Sequence, residues 1–172
     1  MNHLNTGIVC RYSILSALVA ALAAGCSSDP VNVEGSYTVA ITNGDNGCEF
    51  VGFTEGNTAQ DIGLAVTQAG SEAQAEVTGT LASGLLDVVL GSHTFEGRVD
   101  GSDLDLQIIG STPFTQGNCA YTINATVNAS LDGDVLIGTI DYTAKTNQNP
   151  DCGTKTTCKT TQSFNGTRPP SN

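Results

Sequence analysis

The sequence predicts an all-β protein, an antiparallel meander closed into a barrel of about 8–10 strands, with a β-sandwich as the alternative architecture. Two observations carry this. Apolar residues recur at every second position from about residue 34 onward, which is the period of a strand with one face buried. Clusters of Gly, Asn and Asp interrupt the alternation at short intervals, as hairpin turns require.

The strands read in order as 35–42, 48–54, 60–68, 73–82, 84–90, 93–100, 103–110, 118–131, 134–146 and 157–166. In "YTVAI", Tyr37, Val39 and Ile41 share a face. "IGLAV" does the same with Ile62, Leu64 and Val66, and "LDLQI" with Leu104, Leu106 and Ile108. The longest case is "CAYTINATVNASL", which sets Cys119, Tyr121, Ile123, Ala125, Val127, Ala129 and Leu131 against a polar face of Thr122, Asn124, Thr126, Asn128 and Ser130. No part of this region reads as a sustained helical stripe. Turns fall at "NGDNG" (43–47), "QAGSEA" (68–73), "DGSD" (100–103) and "LDGD" (131–134). Most links are short, so sequence neighbours are expected to be spatial neighbours. Closing such a meander removes the exposed edges that would template aggregation.

Small residues are frequent on the inward face: Ala75, Gly79, Gly97, Ala125, Ala129, Gly138 and Ala144. They let strands bend and fit a taper, or they leave a cavity. Both a filled core and a pocket stay open at this level. A pocket for a small apolar ligand would be lined by Tyr37, Phe95, Tyr121, Tyr142 and Phe164.

Ahead of the barrel, the apolar run from Ile14 to Ala24 follows Arg11 and ends at Gly25 and Cys26. It is shorter than the ~20 residues of a bilayer span and has the form of an export signal. The expected organisation is a signal peptide at 1–25, a linker at 26–33, the β domain at 34–168 and a tail at 169–172.

All 17 acidic residues follow Cys26, while one of the 6 basic residues, Arg11, precedes it. Nucleic acid is therefore not an expected partner, because phosphate neutralisation needs Lys and Arg. The acidity reads as a soluble surface, or as attraction to a basic protein. Cys48, Cys119, Cys152 and Cys158 make an even set in an exported chain and read as two disulfides. Three pairings are possible; the favoured one joins Cys152 to Cys158 across "CGTKTTC" and Cys48 to Cys119. A zinc tetrathiolate is the alternative, without a pair of CxxC knuckles to support it.

Catalytic chemistry finds little purchase. His93 in "GSHTFEG", with Ser92 beside it and Asp87 six residues back, reads as a hairpin residue, and no G-x-S-x-G elbow is present. Asp103 and Asp105 share a face opposite Leu104 and Leu106, which suits a solvated exterior better than a carboxylate pair. "NGDNG" and "DGSDLD" lack the residue order of a calcium loop. The expectation is a non-catalytic protein with no cofactor and no metal.

Two resemblances add to this reading. "LAAGC" resembles the lipobox of bacterial lipoprotein signal peptides. That resemblance implies cleavage before Cys26 and acylation of its thiol, with diacylglycerol and palmitate chains that together give a stable membrane anchor. Ser27, in place of an Asp, then implies the outer membrane, with the domain on its periplasmic or surface face. "VEGSYTV", followed by "TFEGRVDGSDLDLQIIG", is similar to the opening strand and a hairpin of calycins, the lipocalin-like barrels, with Tyr37 where a Trp is usual. This implies a ligand-binding barrel. The size and cysteine use also resemble those of small lipid-anchored barrels that inhibit basic lysozymes, and the acidity suits a basic target; a structural surface lipoprotein with no pocket is a further alternative.

Overall fold

The computed structural model describes residues 29–170. The chain forms β1 (Gly35–Asn46), β2 (Thr58–Ala69), β3 (Glu72–Thr78), helix α1 (Thr80–Leu90), β4 (Thr94–Asp100), β5 (Asp103–Ile108), β6 (Phe114–Gln116), β7 (Cys119–Asp132), β8 (Val135–Thr146), a 3-10 segment (Pro150–Thr156) and β9 (Lys159–Thr167). Pairing is antiparallel throughout, in the order β5-β4-β3-β2-β1-β9-β8-β7. β5 also pairs with β7, Leu104 opposite Ala129 and Leu106 opposite Val127, so eight strands close a barrel. β6 is an extra strand on β7, with Phe114 opposite Tyr121.

The alternation does what period two demands. On β5, Leu104, Leu106 and Ile108 are buried, while Asp103 and Asp105 are exposed on the outer face. On β7, Ile123, Ala125, Val127, Ala129 and Leu131 all face the core. Burying a side chain such as Leu104 contributes roughly 1.5–3 kcal/mol.

The two ends of the barrel differ. At one end the hairpins β2–β3, β4–β5 and β7–β8 turn on Gly70, Gly101 and Gly133, each with positive φ (66°, 58° and 59°). This end is plugged by the segment before β1. Val33 is fully buried, and its carbonyl accepts a 2.8 Å hydrogen bond from the Tyr37 hydroxyl. Arg168 lies over the Tyr37 ring, bonds Asp134 through Nε at 3.1 Å, and donates from Nη1 to the Glu34 carbonyl at 2.7 Å. Burial raises the Tyr37 phenol pKa above its ordinary value, with Arg168 opposing. The other end carries the long connections 47–57, 79–93, 109–118 and 147–158, and both disulfides.

Three sequence expectations are corrected. Residues 80–90, expected within two strands (73–82 and 84–90), form α1. Ala82, Leu86 and Leu90 recur at helical spacing and pack on the core, so tertiary burial overrides the β preference of Val88 and Val89. Residues 48–54, also expected as a strand, are turns, with Glu49 and Gly52 at positive φ (56° and 78°). The disulfides join Cys48 to Cys158 and Cys119 to Cys152, not Cys152 to Cys158 or Cys48 to Cys119. The strand order is the cause. β9 lies beside β1, which brings Cys158 to Cys48, and the 3-10 segment carries Cys152 to the start of β7. Cys26 and the segment expected to be a signal peptide, residues 1–25, lie outside the described residues.

Candidate functional site

The barrel interior is nearly filled. An apolar void of about 50 Å³ remains at its centre, against Val39, Leu64, Phe95, Leu106, Leu136 and Phe164, with no polar side chain on its wall. A much larger cavity, about 550 Å³, opens at the end opposite the plug.

Several pieces of chain build this mouth. The loop after β1 supplies Phe50, Val51, Gly52 and Phe53. Asn46 pins that loop: its side chain donates to the carbonyls of Phe50 (3.0 Å) and Phe53 (3.3 Å) and accepts from the Phe50 amide (2.8 Å). α1 supplies Leu85, Leu86 and Val89. β6 and β7 supply Phe114, Tyr121 and Ile123, and Tyr142 on β8 completes the apolar wall.

Aromatic packing shapes the walls. Phe50 meets Phe53 and Tyr142 edge-on, at centroid distances of 6.5 and 6.3 Å, and Phe114 stacks on Tyr121 at 5.5 Å. The polar groups of the lining satisfy one another. The Tyr142 hydroxyl donates to Gln162 Oε1 (2.8 Å), Gln162 Nε2 donates to Asn43 Oδ1 (2.7 Å), and Asn43 Nδ2 donates to the Thr54 carbonyl (3.0 Å). Burial pushes the Tyr142 phenol pKa well above its ordinary value, so its proton stays on this relay. No charged side chain lines the cavity. Lys155 lies over the Tyr121 ring, its Nζ 5.7 Å from the ring centre.

The five aromatics expected to line a pocket are therefore divided. Tyr121 and Tyr142 lie on the mouth cavity, Phe95 and Phe164 on the central void, and Tyr37 in the plug at the far end. Phe50, Phe53 and Phe114 were not anticipated, nor was the helical wall. "FVGF" and the Ala82, Leu86, Leu90 spacing were the available signals.

Beside the mouth, His93 joins α1 to the barrel. Its Nδ1 is 2.7 Å from Asp87 Oδ1, and its Nε2 is 3.6 Å from Glu76 Oε1 on β3. The hydrogen bond to Asp87 raises the imidazole pKa above its ordinary value; desolvation opposes this, and the charges of Asp87 and Glu76 reinforce it. Ser92 is turned to the backbone of Thr94 and not to His93.

Among the described residues, no group of three or more His, Cys, Asp or Glu is placed to hold a metal ion, and no helix is long and apolar enough to cross a membrane. No protein-family model matches the chain, and neither a curated protein nor a solved structure does.

Proposed function

We propose that this protein is a non-catalytic binding module that takes a small, uncharged apolar molecule into the mouth of its barrel. The observation that carries this is the cavity of about 550 Å³, walled by Phe50, Phe53, Phe114, Tyr121 and Tyr142 with no charged side chain. Its volume falls in the usual range of small-molecule sites, roughly 300–1,000 Å³. Because Asn43, Gln162 and Tyr142 are already bonded to one another, a charged or strongly polar ligand would gain little there and would lose its hydration. The likeness of the barrel to calycins agrees with this reading but does not select a ligand.

The lipobox resemblance implies an anchor at Cys26, a few residues before the plug. The described chain enters the barrel at its closed end, which supports a reading in which an acylated Cys26 would hold that end toward an outer membrane and the mouth would face away from it, on the periplasmic or surface side. The test is titration of the oxidised protein with a neutral fluorescent probe such as N-phenyl-1-naphthylamine. Saturable enhancement that Leu86→Trp weakens supports the pocket; no enhancement in the native protein rules it out.

A second reading, a partner protein bound at the same end, draws on the apolar rim. Val51, Leu81, Leu85 and Val88 are exposed around the mouth, and the chain's net charge of −11 would favour a basic partner. Retention of a basic envelope protein that Leu85→Lys abolishes would favour this reading over the first.

A further inference from the structure

We propose that α1 is a lid on the mouth cavity and that His93 latches it in a pH-dependent way; this rests on reading the cavity as a ligand pocket. The lid geometry comes first. Leu85, Leu86 and Val89 of α1 form one wall of the cavity. The helix is joined to the barrel through a glycine of positive φ at each end, Gly79 (95°) and Gly91 (81°).

The two ends of the lid are held unequally. At the C-terminal end Leu90 is fully buried and its carbonyl accepts a 2.8 Å bond from the Ser111 amide. At the N-terminal end no side chain caps the helix, and Leu81 is 86% exposed. Leu90 is the one fully buried residue of α1, whereas Ala82 and Leu86 pack on the core only partly buried, so with permissive glycines on both sides the helix can pivot about Leu90.

His93 supplies the other tie. It belongs to the barrel, since its carbonyl accepts from the Val77 amide of β3 at 3.0 Å. Asp87 is the one charged side chain of α1. Two charged groups therefore face the imidazole, Asp87 from the lid and Glu76 from the wall. β7, on which α1 also packs, carries its only Asp at Asp132, at the plugged end, and residues 109–113 carry no titratable side chain.

The chemistry of imidazole then makes the tie switchable. The doubly protonated ring donates to Asp87 at 2.7 Å and its charge also attracts Glu76 at 3.6 Å, which draws lid to wall. The neutral ring can keep the Asp87 bond through a single N–H, but without the charge that strengthens that bond and draws in Glu76. Both carboxylates favour the charged form, which raises the imidazole pKa. The latch is therefore complete below the ordinary histidine value, near 6.5, and loosens as pH rises through the raised one. Both partners are solvent-accessible, so the effect is modest: a change in lid opening of about two- to fivefold, the scale of exposed ion pairs.

The experiment measures hydrogen exchange of the α1 amides in the ligand-free, oxidised protein at about pH 5.5 and about pH 8, on either side of the histidine range and corrected for intrinsic rates. The native protein, His93→Asn and Asp87→Asn are compared, and release of the neutral naphthylamine probe is followed in parallel. Expected are greater α1 protection and slower probe release at the lower pH in the native protein, with both differences lost in the variants while strand protection stays. Equal pH dependence of α1 exchange in the native and His93→Asn proteins overturns the latch. Exchange that follows His93 while probe release is flat with pH overturns its control of the pocket. Exchange that follows His93 with no probe taken up at either pH removes the pocket reading and leaves the latch standing.

Discussion

Cys48 and Cys158 stand 4.8 Å apart at Cα, just beyond Asn46 and Thr160, the last register pair of β1 with β9. The bridge therefore locks the seam between the first and last strands of the barrel. The Cys48 amide also donates to the Thr160 hydroxyl, which is fully buried.

Non-reducing peptide mapping is expected to recover Cys48 with Cys158 and Cys119 with Cys152; a Cys152–Cys158 peptide would contradict the strand order at the mouth. Replacing Cys48 and Cys158 together by Ser should cost about 5 kcal/mol in the chain-entropy picture, given their separation of 110 residues. Replacing Cys119 and Cys152 should cost about 4 kcal/mol for a separation of 33, so urea unfolding should rank the first pair as the larger loss.

Tyr142→Phe removes the donor to Gln162 Oε1 and leaves a half-buried acceptor unserved. A loss of about 1–2 kcal/mol in urea unfolding is expected, and no change would mean that the relay through Asn43 carries no stability. The same phenol sets an alkaline limit. Its pKa is raised in the folded state, so the stability it confers is fully present below the ordinary tyrosine value near 10 and is lost as pH rises from there toward the raised value. Tyrosinate absorbance in the native protein should include late-ionising groups from both Tyr37 and Tyr142, and Tyr142→Phe should remove the one that ionises latest.

Gly97→Ala should destabilise the barrel. A Cβ on Gly97 would run into the carbonyl of Asp105 and the Cα of Leu106 on the paired strand, which are backbone and cannot swing away. A cost of about 1–3 kcal/mol, the range of overpacked cores, is expected in thermal or urea unfolding. Gly133→Ala tests a different cause, because nothing lies near its Cβ and only its positive φ of 59° opposes the change. Its loss should be the smaller of the two.

Val89→Trp places an indole into the mouth cavity from a position that is 36% exposed. Affinity for the neutral probe should fall by about tenfold or more, equivalent to about 1.4 kcal/mol, while the unfolding midpoint stays close to that of the native protein. Unchanged affinity would place the probe elsewhere on the surface.

Much of the barrel was legible because strand patterning is local. Tyr37, Val39 and Ile41, or Leu104, Leu106 and Ile108, announce a buried face within five residues, and Gly70, Gly101 and Gly133 announce hairpins. The helix was not legible in this way. "TLASGLLDVVL" is apolar on every side, with Leu81, Leu85 and Val88 exposed and Ala82, Leu86 and Leu90 turned inward, so no single stripe stands out. The candidate site was read only in part: Tyr121 and Tyr142 came from the alternation, whereas Phe50, Phe53 and Phe114 lie in or beside connections that have no period to read.

The sequence by itself determined the strand period, the tight turns and the all-β class, since each depends on side-chain direction and φ within a few residues. Only the tertiary structure decided which cysteines meet, which end of the barrel is plugged by Val33, and that α1 sits at the open end with Asp87 on His93. These follow from the pairing of β1 with β9 and of β5 with β7, contacts between segments remote in sequence. Local patterning does not encode them; they are selected when the whole meander closes and buries its inner face at once.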